Sequence, residues 1–359
     1  MQSNFPFEQL LPNNLLQTVY QTGQTAKAAF SIAHKNFSAE LRKTLFPTDI
    51  TLEKISPETN KELEKRFSYL INKDWEDAEA GVYPVSLLFD ENPWEFLTSY
   101  LAIWLDYPAT WSRIQKQEFQ ELPFDVDIEK YPQYYRRNFH FQTDGYLSEN
   151  SANLYDLQVD ILFNGIADAM RRRILKPLKQ VIEAGDTPPS EVKILDVACG
   201  TGRTLKFIRS SLPDASLCGL DLSSAYLRKA NQLLSQLPQE LPQLIEGNAE
   251  NLPFKDESFQ GVSNVFLLHE LPAPVRKNVI QEFYRVLESK GVVVITDSMQ
   301  MSDSPDLQAL MNNFPRLFHE PFYNDYIQDD ITLVLDKAGF VDIQEEVHGF
   351  SKYWIARKP

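Results

Sequence analysis

The residues with the sharpest chemical implication are Gly200 and Gly202, inside the run Ile194-Leu-Asp-Val-Ala-Cys-Gly-Thr-Gly-Arg-Thr204. Losing the side chain at both positions lets the backbone turn sharply and lets a ligand come close to it. Val192, Ile194, Leu195 and Val197 before the turn read as a strand interrupted by the acidic Asp196. Leu205, Phe207, Ile208 and Leu212 after it recur at helical spacing. A helix opening at Arg203 presents its unpaired amide N–H groups to whatever occupies the turn.

Which ligand the turn serves follows from what it lacks. A phosphate-binding loop ends in Gly-Lys-Ser/Thr, whereas Gly202-Arg203-Thr204 has no lysine and a shorter spacing. A dinucleotide site needs a third glycine three residues after the second, and position 205 is leucine. A cofactor without phosphate, built from a nucleoside and a charged amino-acid tail, meets neither objection, and S-adenosylmethionine (SAM) fits. Downstream, the strand Ala215–Leu222 ends in Asp221, a carboxylate at the position that takes both ribose hydroxyls in a βαβ unit. A third strand runs into Gly247-Asn-Ala-Glu250, where Asn248 can meet the adenine edge with Ala249 beside the ring. A fourth strand, from Phe259, leads to His269 and Glu270.

This ordered series resembles the class I SAM-dependent methyltransferases, and within them the branch of ubiquinone and menaquinone biosynthesis C-methyltransferases, over about residues 150–359. The resemblance implies cofactor contacts at Asp196, Ala198, Cys199, Gly200, Thr201, Gly202, Asp221, Leu222, Asn248, Ala249, Glu250 and Phe266. Relatives often carry aspartate where this chain has Asn248; an amide oxygen still pairs with the adenine amino group. The implied fold is α/β: a doubly wound, mostly parallel seven-stranded sheet with an antiparallel seventh strand, preceded by an N-terminal helical domain. The segment before the first strand folds over the cofactor in such enzymes, which makes His140, Asp144, Tyr146 and Tyr155 candidates to face the methyl group.

Methyl transfer from a sulfonium is an in-line displacement, so the enzyme mostly positions its reactants and takes up a proton where the acceptor carries one. His269, just past the fourth strand, is the leading acid/base candidate, with His140 and Tyr155 behind it. Asp297, His319 and Tyr323 rank next, the last two in an insertion, residues 298–330, read as a partial lid. The triplet Arg171-Arg172-Arg173 reads as the solvated end of a helix running from about Leu154, with one arginine free to reach the cofactor's carboxylate.

Three units must carry these groups: a helical part at 1–130, a pre-strand segment at 131–190 and a cofactor domain at 191–359. In the first, prolines 47, 57, 84, 93, 108 and 123 mark helix boundaries, and four of the five tryptophans fill a core or line a substrate cavity. A net charge of −15 argues against a nucleic-acid partner held by bulk electrostatics. Two cysteines, Cys199 and Cys218, suit reduced thiols, and no four-ligand Cys/His cluster is present, so no metal is expected. The first residues lack a signal-peptide pattern, and a cytoplasmic enzyme is the expectation. The reading is a methyltransferase acting on a small, partly apolar or aromatic acceptor. The alternative is a protein methyltransferase whose helical domain docks a partner protein. The oligomeric state is open.

Overall fold

A computed structural model describes residues 12–359; the remark on a signal peptide concerns residues outside that range. Five parallel strands, β1 (Lys193–Val197), β2 (Ser216–Asp221), β3 (Gln243–Glu246), β4 (Phe259–Val265) and β5 (Leu287–Ser298), are joined by β6 (Val341–His348) and β7 (Ser351–Arg357) in the order β3-β2-β1-β4-β5-β7-β6. β7 runs antiparallel to both β5 and β6, as the resemblance implied. Alternation along β5 divides its residues between two cores: Val292 and Val294 face one layer, Val293 and Ile295 the other. Both layers are apolar, so the strands read as continuous hydrophobic runs, the pattern of a sheet covered on each face.

The first layer holds α6 (Leu175–Glu183), α7 (Arg203–Ser211) and α8 (Ser224–Leu234), and the second holds α9 (Ala273–Val286) and α12 (Ile331–Ala338). The N-terminal part contributes α1 (Asn13–Leu45), α2 (Pro57–Glu79) and α3 (Pro93–Lys116). Local chemistry sets their starts. Ser56 accepts from the Thr59 amide at 3.0 Å with Pro57 in the first turn, and Asn92 accepts from the Trp94 amide at 3.0 Å ahead of Pro93's helix.

Pro108 corrects the boundary reading: it lies inside α3. An internal proline costs about 3 kcal/mol, and tertiary packing around it offsets this. Tyr107 stacks on Trp111 at 5.0 Å and its hydroxyl meets His34 Nε2 at 2.6 Å, which anchors both sides of the missing hydrogen bond.

The arginine triplet is a second correction. The helix expected from Leu154 to the triplet is two, α4 (Glu149–Leu162) and α5 (Ala167–Arg172), separated by the left-handed pair Asn164 and Gly165. All three arginines are buried and paired. Arg172 grips Asp74 of α2 with Nε at 3.0 Å and Nη2 at 2.6 Å, and Tyr83 donates to the same carboxylate at 2.7 Å. Arg173 pairs with Asp77, which also takes Lys176 at 3.1 Å, and Arg171 meets Asp168 at 3.0 Å. Asp168 also takes a two-pronged bond from Arg203 at the start of α7. Burial opposes its ionisation, yet Arg203 and Arg171 hold its carboxyl well below the usual range. The triplet is a structural rivet between the helical part and the cofactor domain, spent on aspartates and, through Arg173, on Glu346 of β6 at 3.4 Å.

Removing one member of such a pair strands its partner's charge. Asp74→Ala is expected to destabilise the fold by about 3–5 kcal/mol in urea unfolding; a loss below about 1 kcal/mol, the range of exposed ion pairs, would contradict a buried clamp.

Candidate active site

β1 and β4 lie side by side, but the chain leaves them in opposite directions, and a cavity opens beyond their C-terminal ends. The backbone around it is held in rare conformations. Ala198 (φ 56°) after β1 and Phe266 (φ 60°) after β4 are both left-handed without being glycine. Thr296 O fixes the Phe266 amide at 2.8 Å, and Leu220 O fixes Cys199 at 3.0 Å. Gly202 (φ +81°) is obligatory for a further reason: a Cβ there would lie 2.9 Å from the Ala230 Cβ, so the close approach of α7 and α8 depends on it.

The cavity has about 790 Å³ of empty volume, open solvent at its mouth included. Ala198, Gly200, Asp221, Leu222, Gly247, Asn248 and Ala249 line one end. Tyr134, Tyr135, Phe139, Tyr146 and Tyr155 from the pre-strand segment, with Tyr226 of α8, supply aromatic walls, and Glu270 and Leu271 line it past β4. Among the described residues no lysine, arginine or histidine is part of the wall.

Asp221 is the focus of the first end. Its Oδ2 accepts from the Gly200 amide at 2.8 Å and its Oδ1 from the Ser223 amide at 2.8 Å, while burial pushes its pKa up to about 6. These bonds aim the carboxylate and leave it further lone pairs with which to accept hydroxyl donors. Asn248 Oδ1 accepts from the Glu250 amide at 2.9 Å and so shapes the turn after β3. The donor set suits a nucleoside that bears hydroxyls and a positive charge. Carboxylates and aromatic faces attract a cation, and no basic group waits for a phosphate.

Of the other residues expected at the cofactor, several stand behind the wall. Asp196 is buried and accepts from Ser263 Oγ at 2.6 Å; its second oxygen has no partner among the described residues, and burial pushes its pKa up to about 7. Cys199 is buried beneath the turn, and burial raises its thiol. Thr201 Oγ1 donates to Asp156 at 2.8 Å, tying α4 to the glycine turn. Glu250 accepts from the Tyr134 hydroxyl at 2.9 Å, closing the roof over the turn after β3.

The expected catalytic groups separate. Tyr155 is on the wall, its ring edge-on to Tyr146 at 5.9 Å and to Tyr226 at 5.5 Å. His269 is behind the wall: Nδ1 is 2.7 Å from Asp297 Oδ1, and Nε2 is 4.0 Å from Glu270. Burial disfavours its charge, but Asp297 outweighs that and holds the imidazole up to about 10. His140 (φ 55°) also lies outside the wall, with Phe314 and Phe318 against its ring and Nε2 3.0 Å from Glu320. His319 stacks on Phe119 at 4.1 Å, and burial pushes it down to about 4. Asp144 is half-buried away from the wall, and Tyr323 meets Ser298 at 2.9 Å. The insertion that carries these last groups forms α10 (Gln308–Leu317) and α11 (Tyr323–Tyr326) and is bonded to the N-terminal part through Asn313 and Glu53.

Sequence reasoning missed Tyr134, Tyr135, Tyr226 and Glu270 as wall residues, and Glu320 altogether. The tyrosine-rich run 131–146 was the available signal for the first two; Tyr226 hides in a regular amphipathic helix.

A doubly wound sheet with a cavity at its switch point defines a Rossmann-like cofactor domain. A methyltransferase-domain family model matches residues 194–291. The chain is 32% identical over 151 residues to a demethylmenaquinone methyltransferase of Thermotoga maritima, covering 42% of this chain and 59% of that one. It is 30% identical over 177 residues to a demethylmenaquinone methyltransferase of a Geobacillus species, covering 44% and 74%. Among solved structures, human N-acetylserotonin methyltransferase in complex with SAM aligns at 17% identity and a TM-score of 0.47, over 70% of this chain and 67% of that one. The chain belongs to the class I SAM-dependent methyltransferases, in their ubiquinone- and menaquinone-like branch.

Asp196 supplies a pH test of the turn's foundation. Its folded pKa exceeds the unfolded value of about 3.9, so the folded state holds the extra proton and wild-type stability falls as pH rises from about 4 to about 7. Asp196→Asn keeps the acceptor for Ser263 and removes the charge. The variant is expected to gain on wild type across that window in urea unfolding; parallel profiles would contradict a buried, strained carboxyl.

Proposed function

We propose that this chain binds SAM in the cavity beyond β1 and β4 and transfers its methyl group to a small, largely apolar aromatic ring, quinol-like in character. The observation that carries the reading is the wall itself: an acceptor carboxylate, Asp221, at the glycine turn of a cavity with no basic side chain among the described residues. Asp221 takes the ribose hydroxyls, Asn248 and Ala249 take the adenine, and Ala198, Gly200 and Phe266 form the floor under the amino-acid part. Asp196, Cys199, Thr201, Gly202 and Glu250 hold that cradle in shape from behind.

When bound, SAM supplies an electrophilic methyl group on a cationic sulfur. The rings of Tyr135, Phe139, Tyr146 and Tyr155 keep water away from it and stack an aromatic acceptor. Glu270, bonded by the Tyr146 hydroxyl at 2.5 Å, is the polar end against which an acceptor oxygen docks. His269 serves as a positioning residue: Asp297 holds its ring and also takes the Leu268 amide at 2.6 Å, which fixes the loop bearing Glu270. The names of the two relatives, each a demethylmenaquinone methyltransferase, agree with a ring acceptor. The helical part at 1–130 and the segment at 131–190 serve as clamp and roof for the domain at 191–359. No observation favours the protein-acceptor alternative, and among the described residues no helix is long and apolar enough to cross a membrane.

In calorimetry SAM is expected to bind at one site per chain, and Asp221→Ala to cost roughly 2 kcal/mol or more, about thirtyfold in affinity. With methyl-labelled SAM, a short-tailed demethylated naphthoquinol is expected to take up label, read by mass spectrometry. Equal SAM affinity in wild type and variant would contradict the cofactor assignment. SAM binding without label in any apolar ring would contradict the acceptor.

A further inference from the structure

Three side chains that the nucleoside does not need converge beside the cavity: His140, Glu270 and Glu320, with one ligand atom from each within 4.8 Å of the others. They come from separate parts of the chain, namely the turn Phe139–Phe141, the loop after β4, and the link between α10 and α11. Glu320 is 3% exposed, and neither of its oxygens has a hydrogen-bond partner among the described residues. His140 Nε2 lies 3.0 Å from Glu320 Oε1, close enough for charge attraction but not aligned as a hydrogen bond. Among the described residues Glu270 accepts one hydrogen bond, from the Tyr146 hydroxyl, with His269 Nε2 at 4.0 Å.

The neighbouring positive groups do not resolve this excess of negative charge. His269 bonds Asp297 through Nδ1 and turns Nε2 toward Glu270 at 4.0 Å, which offsets part of the Glu270 charge but leaves Glu320 without a donor. His319 is held neutral by burial and by Arg137. Arg137 feels Glu320 electrostatically but lies over the Phe322 ring at 5.2 Å and makes no ion pair with the carboxylate. Glu320 therefore has only the His140 imidazole beside it, at 3.0 Å, and no hydrogen-bond donor among the described residues. A buried, unpartnered carboxylate is costly and calls for a counter-charge. The strained backbone is consistent with a built site: His140 (φ 55°) and Phe141 (φ 56°) are both left-handed, and the His140 amide donates to His319 O at 3.3 Å.

We propose that His140, Glu270 and Glu320 bind a divalent first-row cation. One imidazole with two carboxylates is a mixed nitrogen and oxygen set, which suits Mn²⁺ or Zn²⁺ better than the all-oxygen shells of Ca²⁺ or Mg²⁺. Three protein ligands leave coordination positions open on the cavity side, where Glu270 is part of the wall. An oxygen of the acceptor ring fills one of them; that last statement rests on the methyltransferase reading, whereas the cation site does not.

The test uses the full chain stripped with EDTA, titrated with MnCl₂ and separately with ZnCl₂ in the absence of SAM and acceptor. Calorimetry, and Mn²⁺ electron paramagnetic resonance, are expected to give one ion per chain. Glu320→Gln and His140→Asn (asparagine tolerates the left-handed backbone) are each expected to weaken the ion by about tenfold or more, with S-adenosylhomocysteine binding retained as proof of folding. Stripped Glu320→Gln is expected to melt above stripped wild type, because a buried charge is gone, and saturating Mn²⁺ to raise only the wild type. Absence of a stoichiometric ion with both salts, or equal affinity in wild type and both variants, would overturn the site. SAM binding in the same samples reports on the cofactor reading separately.

Discussion

Buried carboxylates with few hydrogen-bond donors govern this molecule's chemistry. Asp221 and Glu270 line a cavity that carries no lysine, arginine or histidine among the described residues, and Glu320 stands behind it without a donor. The arginines that flank the glycine turn and its preceding helices are spent elsewhere: Arg171, Arg172, Arg173 and Arg203 are locked onto Asp74, Asp77 and Asp168. Charge in the cavity must be met by what enters it. A ligand with hydroxyl donors and a sulfonium meets that demand at one end, and a divalent cation meets it at the other.

The same economy explains why the fold tolerates so much ion pairing inside. Buried ion pairs contribute little net stability relative to apolar packing, but breaking one is expensive. The arginine rivet therefore fixes geometry more than it adds stability. It holds α2 against α5, and through Asp168 and Arg203 it reaches the first residue of the helix that follows the glycine turn. Thr201 extends the connection to α4 through Asp156. The roof of tyrosines is thus tied to the floor it covers.

The cofactor domain was legible in the sequence because its signals are local. A strand that runs into Gly200 and Gly202, an acid at the end of the next strand and an amide after the third each announce themselves within a few residues. The order of strands and the reversed β7 came from the family resemblance and are seen in the structure. The arginine triplet was misread because its partners, Asp74 and Asp77, lie about a hundred residues away, and a local view sees only charge at a helix end. Pro108 misled for a related reason: propensity marks a boundary, but aromatic packing of His34 and Phe37 in α1 against Trp104 and Tyr107 in α3 decides otherwise. Glu320 gave no signal, since one acid in an insertion becomes informative only when folding buries it beside His140 and Glu270.

A structure of the full chain with S-adenosylhomocysteine bound tests the central claim most directly. The account predicts both ribose hydroxyls donating to Asp221, the adenine against Asn248 and Ala249, and the sulfur directed toward Tyr146 and Glu270. A nucleoside seated outside this cavity, or a ribose bonded to groups other than Asp221, would contradict it.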